Sequence, residues 1–196
     1  MNFDQWRHYA RAYLYQVFNK TDLAVAEYRQ SFAQNPQFAK AASSLGYLLA
    51  GQGKIDEAQH WFGEAVRIRP DDAFAHFNLG FTLDKNGRRE EAIAAFRDAV
   101  RLNPKLDRAW YGLGMSLAAL GQHQDAAAAL LEVTTLEPMN PHAWYALGMA
   151  YHHSHDPDKV KEVVDHLFRF DPVMTRQLIR DAERSDLAHM VKDLLV

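Results

Sequence analysis

Histidine is the commonest metal ligand and the side chain whose charge changes nearest neutral pH. The densest group in this 196-residue chain is His152, His153 and His155, followed by Asp156. Metal binding is the chemistry that such a group invites. On a helix, however, adjacent residues point about 100° apart, so His152 and His153 do not chelate one ion together. No carboxylate or third histidine stands four residues away within that helix, and the expected arrangement is a solvated helix end. Gly51-Gln52-Gly53-Lys54 has the glycine and lysine of a phosphate loop without its spacing, and it joins two helical stretches where a phosphate loop follows a strand. It reads as a turn. The chain has no cysteine, which removes disulfides, thiolate metal sites, a catalytic thiol and cysteine lipidation. No catalytic set of Ser, His and Asp or of paired carboxylates emerges, so the expectation is no enzyme, no cofactor and no metal.

The formal net charge is −3. A protein that works mainly on nucleic acid needs a basic footprint, and this chain has none. The opening MNFDQWRHYARAY lacks an unbroken apolar core, so no signal peptide is expected. No run of about 18 apolar residues exists to insert into a membrane, and the expected location is cytoplasmic.

What must position the remaining residues is a repeat. Pro36, Pro70, Pro104, Pro138 and Pro172 stand 34 residues apart without an insertion or deletion. A fixed period in this range means stacked supersecondary units, a solenoid. The units run 5–38, 39–72, 73–106, 107–140 and 141–174, the first degenerate, with His8 at its large anchor and Arg11 where Leu is usual. Terminal units are often atypical. Each unit reads as two helices. In the third, Phe74, Phe77, Leu79, Phe81 and Leu83 mark one helix and Gly87 its C-terminal turn. Ala92, Ile93, Phe96, Ala99 and Val100 then share one face of a second. Gly53 and Gly121 repeat the role of Gly87, and Asn19 takes it in the first unit. The fifth unit uses Asp156-Pro157, and Asn140-Pro141 is the same capping device. Gly46, Gly80, Gly114 and Gly148 on the first helices, with Ala58, Ala92 and Ala126 on the second, allow close approach. Val160 replaces that alanine in the fifth unit and predicts a splayed pair. Residues 175–196 read as two short capping helices broken at Ser185-Asp186. The alternative is a partner-binding or dimerising tail ending in Leu194-Leu195-Val196.

These residues resemble the tetratricopeptide repeat: W-x2-L-G-x2-Y, then A-x3-F, then P, over 34 residues. Trp110, Leu113, Gly114, Leu117, Ala126, Leu130 and Pro138 carry the pattern in the fourth unit. Trp144, Leu147, Gly148 and Tyr151 carry it in the fifth. The resemblance covers residues 5–174. It implies an all-α, right-handed α-solenoid with a C-terminal helical cap, whose first helices line a concave groove that holds a protein or peptide partner. In the family the groove is lined from fixed places in each unit. In this chain they yield Tyr13, Lys40, Tyr47, Phe74, Phe77, Asn78, Phe81, Arg108, Tyr111, Met115, Tyr145 and Met149 as the candidate partner-binding residues. Trp6, Tyr9, His142, His152 and His153 stand at the same places. Fifth-place aromatics (Tyr9, Phe77, Tyr111, Tyr145) are also consistent with support of the helix alone. The ninth place, often polar in the family, holds Tyr13, Tyr47, Phe81, Met115 and Met149, one large apolar side chain per unit. Such a stripe fits an interaction surface, or burial beneath a terminal helix or a second copy. The heat-shock-chaperone clamp of some members matches only at Asn78 and Arg108, with Ser43, Tyr47 and Gly112 where Lys, Asn and a cation are needed. Three roles follow: an adaptor or scaffold, a self-assembling structural protein, or a dedicated chaperone for a secreted partner.

Overall fold

The computed structural model describes residues 3–194, and side chains of residues 3–192. Among the described residues all regular structure is helical. The chain falls into two compact units, Met1–Asn103 and Pro104–Val196.

The first unit holds α1 (Phe3–Val17), α2 (Thr21–Gln34), α3 (Ala39–Gly51), α4 (Ile55–Ile68), α5 (Ala73–Lys85) and α6 (Arg89–Leu102). They pair as α1 with α2, α3 with α4 and α5 with α6. Its core is built from Ala12, Ala24, Tyr28, Leu45, Leu49, Ala58 and Phe62, with Tyr9, Tyr15 and Trp61 packed against it. The second unit holds α7 (Asp107–Ala119), α8 (His123–Leu136), α9 (Pro141–His153), α10 (Pro157–Leu167), α11 (Pro172–Asp181) and a 3₁₀ helix over Ser185–Leu194. Leu113, Leu117, Leu130, Leu147, Val164, Leu167 and Leu178 are buried there.

The helix ends follow the 34-residue period. α3, α5, α7 and α9 are each 13 residues long, starting at Ala39, Ala73, Asp107 and Pro141. Gly53, Gly87 and Gly121 all adopt φ +75°, the left-handed region that favours glycine. The next amide reaches back to close the helix, Lys54 to the Leu49 carbonyl, Arg88 to Leu83 and Gln122 to Leu117 (2.9–3.0 Å). Asn19 does the same at φ 55°. The fifth pair departs from expectation. Asp156 caps α10 and Pro157 opens it, but the left-handed turn is also present, carried by His155 at φ 58°.

The boundary expected after Met174 falls inside α11. Asp171 accepts the Met174 amide at 2.8 Å, and Pro172 is the first residue of the helix. Pro36, Pro70, Pro104 and Pro138 lie in turns, whereas Pro172 starts a helix. α10 is correspondingly short, 11 residues against 14 in α8.

The glycines on the first helices meet large side chains. A Cβ on Gly46 would stand 2.9 Å from the Phe62 ring, and one on Gly80 would stand 2.8 Å from Phe96. Gly114 would meet Leu130 at 2.7 Å. At Gly148 the first atoms met belong to Leu178 of α11, at 2.7 Å, and then to Val163. Val163 of α10 follows at 3.2 Å, so the leucine against this glycine comes from α11 and not from the next helix, α10. Leu187 and Val191 of the 3₁₀ helix are buried, and that helix packs on α11. The apolar end Leu195-Val196 lies outside the described residues, as does the side chain of Leu194.

Candidate functional site

In the first unit, the ninth-place residues protrude. Tyr13 is 58% exposed, Tyr47 65% and Phe81 43%. Phe74 is exposed as well. Leu45, two residues before Tyr47 on α3, is wholly buried, so the helix turns one apolar face inward and keeps a second outward. The fifth-place side chains are partly packed. Tyr9 lies against Tyr28 and Phe38, each 5.2 Å away between ring centroids, and Phe77 lies 6.1 Å from Phe96. Asn78 is half-buried, and its carbonyl accepts from the Thr82 hydroxyl at 3.1 Å. Lys40 places its ammonium 5.9 Å over the Trp6 ring, and Lys85 lies 5.5 Å over Phe81. These cations sit against ring faces, an attractive geometry.

In the second unit, Met115 is exposed and Met149 half-buried. Tyr111 and Tyr145 are half-buried, and Arg108 is exposed at the start of α7. Tyr145 donates its hydroxyl to Asp181 at 2.8 Å. Burial and that carboxylate push the phenol up from its usual value. The Arg180 guanidinium first, and the Tyr145 bond second, hold the Asp181 carboxyl below the usual carboxylate range. Tyr111, Met115, Tyr145 and Met149 line one pocket of about 400 Å³ together with Leu130, His123, His142 and His153.

His123 is the lining residue that sequence reasoning missed. It opens α8 and its ring lies 4.9 Å from that of His153, 30 residues on. Gln52 donates to Asp22 at 3.0 Å and Asn86 to Asp56 at 2.8 Å across the same 30-residue separation, but these pairs sit one place further along their repeats, so the register alone does not point to His123. His152 and His153 lie 5.0 Å apart with their rings inclined at 61°. Among the described residues no three His, Asp or Glu side chains come together around a possible metal position.

Trp110 and Trp144 act as struts. Trp110 donates its indole N–H to the Pro104 carbonyl at 2.9 Å, and Trp144 to that of Pro138 at 2.8 Å. His76 makes the equivalent contact with Pro70 at 3.0 Å. Each ties the fourth residue of a first helix to the proline turn before it.

No helix of the described residues is long and apolar enough to cross a membrane. No curated protein sequence matches the chain. Its structure is similar to that of YrrB, described as a TPR protein with an unusual peptide-binding site, with TM-score 0.79, 24% identity and 90% of each chain covered. It is similar to MamA at TM-score 0.81 and 19% identity, over 92% of this chain and 96% of that one. It is also similar to PilF of Pseudomonas aeruginosa at TM-score 0.73 and 16% identity, over 98% and 90%. Tetratricopeptide-repeat models match residues 77–136 and 115–159, and a second such model matches 37–105. Together with helix pairs that recur every 34 residues, glycines seated against Phe or Leu, and tryptophans tied to proline turns, these matches identify the chain as a member of the tetratricopeptide repeat family, a family of protein–protein interaction modules.

Proposed function

We propose that the chain is a non-catalytic adaptor or scaffold that holds a peptide or helix of a partner protein on the outward faces of its first helices. One observation carries the reading. Ninth-place side chains Tyr13, Tyr47, Phe81 and Met115 stand 43–65% exposed, one per helix, while Leu45 and Leu113, two residues before Tyr47 and Met115, are buried. Leaving large apolar groups in water on successive helices favours their burial by a partner. Aromatic and methionine side chains suit that role, the first as anchors and the second as adaptable contacts. In the first unit Tyr47, Phe74 and Phe81 make the contact, with Phe77 behind them, Asn78 bonding the partner's backbone and Lys40 steering acidic groups. In the second, Met115 and Met149 with Tyr111 and Tyr145 form a pocket, and Arg108 adds a cation. That YrrB is described as having a peptide-binding site supports a peptide as the occupant.

A photo-crosslinking amino acid in place of Tyr47, and separately in place of Glu64 on α4, tests the reading in the source cells. An adduct with a distinct protein from position 47 and none from 64 is expected; equal adducts from both positions would oppose it.

Self-association is a second reading with its own observation. Leu14, Val17 and Phe18 at the end of α1 are 55%, 58% and 70% exposed. Mass measured by light scattering across a concentration series decides it, since a constant monomer mass rules it out. The 3₁₀ helix is less suited to such docking, because Leu187 and Val191 are already buried.

A further inference from the structure

The inference rests on the partner-binding reading and concerns the chemistry of the partner at the second unit's pocket. That pocket, of about 400 Å³, has an apolar wall that includes Met115, Leu130 and Met149. Its titratable lining is His123, His142, His153 and two tyrosines, with no carboxylate among the residues that line it. The histidines arrive from separate places: His123 opens α8, while His142 and His153 lie at opposite ends of α9. The His123 and His153 rings stand 4.9 Å apart, inclined by 31°. The Nδ1 atom of His123 is buried and has no hydrogen-bond partner in the chain. Buried polar atoms are nearly always bonded, and this nitrogen is free of the chain's own groups to take a polar group of a bound partner. The carboxylate that approaches the pocket from α11, Asp181, is engaged by Tyr145 and Arg180, each at 2.8 Å.

We propose that this pocket binds a partner segment carrying an apolar side chain beside a carboxylate, with the apolar group against Met115 and Met149 and the carboxylate on the histidines. An imidazole that gains a proton becomes a cation and a donor at both nitrogens. Burial, with His153 and His155 adding to it, holds His123 below the usual histidine value, so the empty pocket favours the neutral ring. A bound carboxylate favours the charged ring. Binding therefore takes up a proton, and affinity rises as pH falls from above the usual histidine value to below it. The other titratable or charged groups around these rings are Tyr111 on α7, Asp125 on α8, Tyr145 and His152 on α9, His155 in the following turn, and Asp181 with Arg180 on α11. Asp125 shares an adjoining cleft with His123 and His153 but does not line the pocket.

The test is selection of random twelve-residue peptides displayed on phage against the full chain at pH 6, with a chelator present. Enriched peptides are synthesised and their affinities measured at pH 6 and pH 7.5 by fluorescence polarisation. The expected peptides carry Asp or Glu within two residues of Leu, Met or an aromatic residue. They bind roughly 5-fold or more tightly at the lower pH, the range in which histidine titrates. Met115→Glu weakens them by about 10-fold or more, the scale of a lost interface anchor. The double substitution His123→Gln, His153→Gln flattens the pH dependence. Circular dichroism checks the fold of each variant. Neutral or basic enriched peptides, affinities indifferent to pH, or affinities unchanged by Met115→Glu overturn the acidic-partner inference and leave the interaction-module reading standing. No enriched peptide at all overturns both.

Discussion

His155 occupies a backbone position that glycine fills three times elsewhere in the chain, with φ 58° against +75° at Gly53, Gly87 and Gly121. The left-handed region costs a side-chain-bearing residue about 1–2 kcal/mol, partly offset because glycine loses more freedom on folding. His155→Gly is therefore expected to stabilise the chain by roughly 0.5–1 kcal/mol in urea denaturation; a loss of stability would show that the imidazole makes a contact worth more than the strain. His123 gives a pH-dependent expectation. Burial lowers its affinity for protons in the folded chain, so the unfolded chain protonates first as pH falls. Stability that is complete above the usual histidine value is then lost as pH drops through that value toward the lower folded one. His123→Gln should make the fall in Tm between about pH 7.5 and pH 5.5 shallower than in the wild type. Equal slopes would mean that the ring is as easily protonated folded as unfolded.

Between elements, the decisive contact is a helix backbone against a large side chain. Gly114 leaves room for Leu130 of α8, whose Cγ would lie 2.7 Å from an added Cβ. Gly114→Ala gains helix propensity of about 1 kcal/mol but must push α7 and α8 apart, and overpacking costs roughly 1–3 kcal/mol. Net destabilisation of up to about 2 kcal/mol is expected in urea titration; an alanine variant more stable than the wild type would mean that the pair adjusts freely. The same logic was readable in the sequence. Identical spacing of Gly46, Gly80, Gly114 and Gly148 marked the first helices, and the glycine turns marked their ends, because a turn that needs positive φ leaves a compositional trace. His155 left no such trace, since its residue type does not advertise its conformation. The start of α11 was missed for a related reason. Pro172 continues the 34-residue series, yet Asp171 caps the helix that it opens, and a proline at that spacing fits either a turn or a first helical residue. Leu178 filling the place against Gly148 belongs to tertiary packing, which no local pattern encodes.

For the whole molecule, the fold was legible because it repeats: five prolines in register and a recurring glycine turn leave little freedom. The candidate site was only partly legible. Its places came from the resemblance, and the register supplied Tyr47, Phe81 and Met115. The pocket's His123 comes from a second helix and appears only when α8 and α9 are packed together. The central proposal is that exposed side chains of the first helices, Tyr47 and Phe81 among them, hold a partner protein. The most direct measurement is the affinity of the partner crosslinked at position 47, by isothermal titration calorimetry, for the wild type and for a Tyr47→Asp, Phe81→Asp variant of unchanged circular dichroism. Both side chains are exposed, 65% and 43%, so the variant should fold. The account predicts a loss in affinity of at least about 10-fold, the effect of removing an interface anchor. An unchanged dissociation constant in a folded variant would contradict it.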